Sequence, residues 1–157
     1  VRDALFGDIE YEFGWVGQCT WPFFGNRVLT RLVIPCEESE EISLIQREAF
    51  AAFEQNKAAM CKVAEDAIVA YYSEKRPELI ERFGSQFADQ WAPEIEKAES
   101  MSRLVAPTEV IIQESFVGPP ERVVGLLFDC TWERSLGLAV KFVDERFNAV
   151  GTQDIVI

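Results

Sequence analysis

Histidine is missing from all 157 residues, so a Ser-His-Asp triad, a Cys-His pair and an HExxH metal site are each excluded within this chain. Neither GxGxxG nor GxxxxGK(S/T) occurs, which removes support for a dinucleotide fold or a P-loop. The four cysteines, Cys19, Cys36, Cys61 and Cys130, are scattered, and none has the CxxC spacing of a redox motif or a structural zinc site. They read as reduced thiols, and no metal and no cofactor are expected. No run approaches the roughly 18 consecutive apolar residues of a membrane span, and no basic segment followed by an apolar one opens the chain. Cytoplasmic location is the default expectation, with export left open by a chain that begins at Val1 rather than Met.

Positive charge is also scarce. Fifteen bases against 27 acids give a formal charge of -12, which opposes attraction to phosphate backbones and anionic lipid. No direct nucleic-acid or membrane partner is therefore expected. The imbalance is concentrated: residues 37–99 hold 15 acids and 7 bases, a net of -8, whereas residues 1–36 hold 4 and 3. What is plentiful is core material, with 48% hydrophobic residues, 12 Phe and 4 Trp. A chain of this length buries enough surface to fold as one domain without a disulfide or a metal.

The first third has strand character. Tyr11, Phe13 and Trp15 alternate, and Phe23-Phe24 precedes Gly25-Asn26, which reads as a hairpin turn into the run 28–34. Pro35 ends that strand, because it has no N–H for a ladder. Ser39 stands where an N-cap would sit, so a long helix is expected from about Glu40 to Ser73. Its stripe would be Ile42, Ile45, Ala49, Ala52 or Phe53, Asn56, Met60, Val63, Ala67 and Tyr71. Pro77 suits the first turn of a second helix carrying Leu79, Ile80, Phe83, Phe87 and Trp91, with Gly84 able to bend it. Residues 92–107 show no period and read as a surface loop. Strands return over 110–117, 123–132, 138–143 and 149–157. This order implies an α+β fold: an antiparallel sheet from N- and C-terminal strands, packed against one long and one shorter helix in a single domain, 1–157.

With catalytic motifs absent, carboxylates are the remaining reactive groups. Asp129 and Glu133 flank Trp132 and could divide acid and base roles in a cleft, although acids alternating with apolar residues ordinarily mark the solvent face of an antiparallel strand. Glu37, Glu38, Glu40 and Glu41 could form a calcium or partner patch, or simply favour a helix start through the macrodipole. Trp15, Trp21, Phe23 and Phe24 are either core or interface anchors.

The segments Gly125-Leu126-Leu127-Phe128-Asp129-Cys130-Thr131-Trp132-Glu133, Leu136-Gly137-Leu138-Ala139-Val140 and Val150-Gly151-Thr152-Gln153-Asp154-Ile155 together resemble an uncharacterised bacterial domain family found among candidate immunity proteins of polymorphic toxin systems. Trp15-Val16-Gly17, Gln46, Phe53, Asn56 and Tyr71-Tyr72 fit the same pattern. Residues 75–108 add little to it. Glu133-Arg134-Ser135 stands where a more acidic turn is expected, and Ala139 replaces an expected glycine. The resemblance assigns structural roles to Trp15, Gly125, Phe128, Cys130, Trp132, Gly137, Gly151 and Asp154. It implies a non-enzymatic protein that binds and neutralises a cognate toxin. Glu40, Glu41, Glu48, Glu54, Asp129 and Glu133 are the candidate contact residues. A small carboxylate-dependent enzyme and a structural or oligomerisation module are the competing expectations.

Overall fold

The computed structural model describes residues 1–115 and 118–157. Short strands β1 (Arg2–Asp3) and β2 (Gly7–Asp8) pair at the N-terminus. They are followed by β3 (Glu10–Tyr11), β4 (Trp15–Phe23), β5 (Asn26–Ile34), the helix α1 (Leu44–Trp91), a 3-10 helix (Ala98–Arg103), β6 (Val105–Gln113), β7 (Val123–Cys130), β8 (Leu138–Val143) and β9 (Arg146–Gly151). A last 3-10 turn spans Gln153–Ile155. Strands β3 to β9 form one sheet in chain order. The fold is α+β, as expected, but the sheet is mixed: β5 and β6 run parallel, with Leu32 opposite Val110. Their connection is α1, which supplies the long crossover that parallel neighbours require.

The hairpin turns differ by a residue from the expected places. Between β4 and β5 the turn residues are Phe24 and Gly25, both at positive φ, with Phe23 opposite Asn26. That is the dihedral pattern of a two-residue I′ turn, and the Phe24 amide donates to Glu65 Oε2 at 3.1 Å. Asp144 and Glu145 form a second such turn without glycine, which lets β9 begin at Arg146 rather than Ala149. The strand expected over 110–117 begins earlier, at Val105. Pro107 and the bulge between Pro107 and Glu109 break its alternation. Its expected last residues, 116 and 117, lie outside the described residues.

The helix starts four residues later than expected. Ser43, not Ser39, is the N-cap: its hydroxyl accepts from the Gln46 amide while the Gln46 side chain accepts from the Ser43 amide. A capping box needs Gln or Glu at the third helical position, and Ser39 has Ile42 there. Pro77 lies inside the helix rather than at a start. It and Ser73 are exposed, so the carbonyl left without an N–H partner can face water. The break falls at Gly84, whose φ of 78° and ψ of 157° are non-helical.

Beyond Gly84 the chain doubles back. Arg76 Nε reaches the Ala92 carbonyl at 3.1 Å, the Tyr72 hydroxyl donates to the Pro93 carbonyl, and the Phe83 and Trp91 rings lie 5.4 Å apart. In a straight helix residues 16 apart would be about 24 Å distant at 1.5 Å per residue. The long and short helices are therefore the two arms of α1, 44–83 and 85–91.

The long arm lies across β4, β6, β7, β8 and β9. Its buried residues include Gln46, Ala49, Phe50, Phe53, Met60, Cys61, Ala64, Ile68 and Tyr72. The expected stripe matches at Ala49, Phe53 and Met60 but not at Asn56, which is in solvent; after Met60 the buried face shifts by one residue to Ala64, Ile68 and Tyr72, leaving Val63 exposed. Across the layer Trp21, Leu32, Val110, Ile112, Leu126, Phe128, Trp132, Val140 and Phe142 complete the main core. A smaller cluster of Ile111, Leu127, Ala139 and Val156 lies on the outer sheet face under the C-terminal turn.

Candidate functional site

The C-terminal motif assembles a buttress. In β7, even-numbered Leu126, Phe128 and Cys130 face the helix, whereas Leu127 faces outward. Gly125 is required by a close approach: a Cβ there would sit 2.8 Å from Ile111 Cγ2 and 2.9 Å from Val156 Cγ2. Gly137, at φ +61°, leaves room for Gln153, whose Nε2 donates to the Phe128 carbonyl at 3.0 Å and whose amide donates to Leu136 at 2.9 Å. Asp154 is exposed and accepts from the Thr152 hydroxyl, and Gly151 pairs with Ala139 on β8. Trp132 is buried against Tyr72, with rings 4.8 Å apart. Trp15 is half-buried, edge-on to Tyr11. Trp21 and Phe23 are core residues, and Phe24 packs at the edge of the core.

Gln46 anchors the opposite end. Its side chain is fully buried, and Nε2 donates to the carbonyls of Pro35 at 2.7 Å and Ile112 at 3.0 Å. One amide thereby caps α1, holds the chain leaving β5 and ties both to β6. The loop so fixed carries exposed Glu37, Glu38, Glu40 and Glu41. The Tyr11 hydroxyl donates to the Cys36 carbonyl at 3.0 Å, and Tyr11, Glu37, Glu38 and Ser39 line a cleft of about 560 Å³. Burial raises the Glu114 carboxyl above its ordinary range, with Glu40 and Glu37 adding to the shift, so the acidic surface extends to the end of β6. Glu48 is exposed one turn into α1. Among the described residues Glu37, Glu38, Glu40, Glu41 and Glu48 make no ion pair.

The other three candidates do not join them. Glu54 is held by Lys57 at 2.7 Å and accepts from the Cys19 thiol at 3.7 Å. Asp129 is exposed on the outer sheet face near the start of β6. The nine residues of β6 separate it from the acidic loop by on the order of 25 Å, at about 3.3 Å per residue. The Glu133 carboxylate is taken up by Arg82 at 3.5 Å and the Leu136 amide at 3.4 Å. Asp129 lines a groove to which Glu133 does not contribute, so this pair does not form one cleft.

That groove, about 420 Å³ beside Arg103 and Arg134, was not visible in a stretch that reads as loop. Arg134, where the sequence departs from its family pattern, is the one signal that pointed there. Cys19, Cys36, Cys61 and Cys130 are buried and unpaired. Burial pushes Cys19 and Cys61 up to about 12 and Cys130 up to about 11. Among the described residues no three acidic or thiol groups converge as a metal site, and no helix is long and apolar enough to cross a membrane.

No curated protein matches the chain, and neither does any solved structure. A family model matches residues 5–157, nearly the whole length. The chain belongs to the family described as a domain of unknown function, DUF6985.

Proposed function

We propose that the chain is a protein-binding module whose acidic loop and α1 start engage a basic protein partner, and that this partner is a cognate toxin which it neutralises. The observation that supports it most is the set of five exposed carboxylates, Glu37, Glu38, Glu40 and Glu41 on a loop fixed by Gln46 and Glu48 one turn into α1, none of them in an ion pair among the described residues. Unpaired charge of one sign on a rigid frame speeds encounter with the opposite sign and selects the partner. The toxin identity rests on the sequence pattern in the C-terminal third, which the fold uses as a buttress.

The test is association with the product of the neighbouring gene across a salt series, together with rescue of growth when that product is expressed. Charge reversal by Glu40→Lys, Glu41→Lys and Glu48→Lys should lower the on-rate about tenfold or more at low salt, where steering is strongest. The off-rate should change much less. Absence of a complex at micromolar concentration and of rescue would reject the toxin partner. Binding with a salt-independent on-rate would reject the acidic face as its means of recognition.

A further inference from the structure

The tip of the β3–β4 hairpin carries a side chain that the fold does not use. The two strands close at the pair Tyr11–Trp15, and Glu12, Phe13 and Gly14 form the loop between them. The alternation of Tyr11, Phe13 and Trp15 therefore breaks at its middle member. Tyr11 and Trp15 stay below the tip, edge to face with rings 5.4 Å apart, while Phe13 is 103% exposed, the most exposed large apolar side chain among the described residues. Its backbone is also held at a φ of 60°, the left-handed region that a bulky side chain adopts only at a cost.

The loop is fixed in place. The Glu12 amide donates to the Gly14 carbonyl at 2.7 Å, and Gly14 is buried against the chain leaving β5: a Cβ there would lie 3.4 Å from the Ile34 carbonyl oxygen and 3.5 Å from Pro35 Cα. On the other side of Phe13 the Tyr11 hydroxyl donates to the Cys36 carbonyl at 3.0 Å. Both flanks thus grip residues 34–36, the segment that leads into Glu37 and Glu38, and those two acids share a cleft with Tyr11.

Neither packing nor backbone preference explains phenylalanine at this position. Asparagine or glycine would meet the same φ with less strain, and a polar group would suit the exposure. An interface explains both. Aromatic side chains are enriched in the cores of protein interfaces, where a few desolvated anchors carry most of the binding energy. The charge beside this one sets the chemistry of what covers it: Glu37 and Glu38 form no ion pair among the described residues, and complementary potential requires lysine or arginine opposite them.

We propose that Phe13 is the apolar anchor of the acidic face, and that it enters an apolar pocket, rimmed by lysine or arginine, on a basic protein. This rests on the reading of the acidic loop as a partner-binding surface, and it adds the contact that holds the complex once charge has assembled it. The two parts act on different rates: long-range charge on association, the desolvated ring on dissociation.

The first test needs no partner. Phe13→Asn removes the ring and supplies a residue that tolerates the left-handed conformation, so the thermal midpoint of the free protein should rise by about 2 °C. A midpoint that falls would mean that the ring supports the fold, and would overturn the inference. The second test is the binding kinetics of the full chain with the product of the neighbouring gene. Phe13→Ala should speed dissociation about tenfold or more and leave the on-rate within about twofold, the reverse of the pattern expected for Glu40→Lys/Glu41→Lys/Glu48→Lys. A complex with a salt-dependent on-rate whose off-rate is unchanged by Phe13→Ala overturns the anchor and leaves the acidic-face reading standing. No complex with the wild-type chain removes both. Concentration-dependent dimerisation of the wild type that Phe13→Ala abolishes would make the occupant a second copy of this chain and reject the basic partner.

Discussion

A single side chain, Gln46, does more structural work than its polarity suggests. A buried amide is tolerated only when its donors and acceptors are satisfied, and here both N–H groups and the carbonyl oxygen have partners. Gln46→Ala would leave the buried Ile112 carbonyl without this donor, remove half of the capping box and open a void. It should destabilise the protein by about 2–4 kcal/mol, combining a lost cap with an unsatisfied buried group. Glu at this position keeps the cap but has no donor for Pro35 or Ile112, so Gln46→Glu should fail to restore stability at neutral pH. Chemical denaturation of both variants checks this, and a loss below about 0.5 kcal/mol for Gln46→Ala, the scale of a neutral surface change, would refute it. The thiols offer a second residue-scale test. Because Cys19, Cys36, Cys61 and Cys130 are buried and free, with their ionisation raised, a thiol reagent should react slowly with native protein and label four groups once it is unfolded without reductant. Thiolate is the reacting form, so fast native labelling would place at least one cysteine at the surface.

Among the elements, the contact between the N-terminal strands and α1 depends on pH. Arg47 holds the Asp3 carboxylate through two hydrogen bonds at 3.1 and 2.9 Å, and the Leu5 and Phe6 amides also donate to it. The Arg47 guanidinium is the main reason the carboxyl is lowered from 3.8 to about 2. A depressed folded value means that the contribution is present above the unfolded value and is lost as pH falls from about 4 to about 2. Asp3→Asn should therefore cost on the order of 1–2 kcal/mol at neutral pH, after discounting for solvent around the half-exposed Arg47, and only a small fraction of that near pH 2, where the folded-state carboxyl is itself titrating. Unfolding curves at the two pH values decide it. Trp132→Ala, at the end of the β7 segment and packed on Tyr72, should cost about 3–5 kcal/mol, the range for truncating a large buried aromatic. A loss under about 1 kcal/mol would put Trp132 on the surface. Patterning made β7 and β8 legible, since alternate apolar residues and bounding turns are local properties. It misplaced the start of β6, where Pro107 and a bulge interrupt the alternation, and the reversal in α1, where Pro77 is the stronger local breaker but Gly84 adopts the breaking dihedrals. The parallel β5–β6 pairing was hidden for another reason: it depends on where α1 returns the chain. The groove between Arg103 and Arg134 was hidden in the same way, because these two residues are 31 apart in sequence and their segments meet through the β6–β7 pairing.

For the whole molecule, the question is whether the negative field weakens the fold that carries it. Eight of the fifteen bases are engaged in ion pairs among the described residues, and most of those pairs are exposed, each worth about 0–1 kcal/mol. The remaining imbalance is larger: a net charge of -12 acts between every pair of carboxylates within reach, and self-repulsion of this kind destabilises a compact state. Salt screens both, but Glu40, Glu41 and Glu48 form no ion pair among the described residues, and the longer-range attraction of Glu41 to Arg47 and of Glu48 to Arg122 is set against repulsion from the whole acidic surface. The thermal midpoint of the free protein should therefore rise as sodium chloride increases from about 0.02 to 0.5 M, while the Debye length falls from about 20 to about 4 Å. Glu40→Gln/Glu41→Gln/Glu48→Gln should raise the midpoint at low salt and flatten its dependence on salt. Calorimetry of the two proteins across the series reads both effects. A midpoint that falls with salt would mean that the Asp3–Arg47 and Arg122–Glu145 pairs outweigh the repulsion, and that the acidic surface exacts no stability from the fold. The same variants lower the on-rate expected for a basic partner, so stability and association should move in opposite directions when these charges are removed.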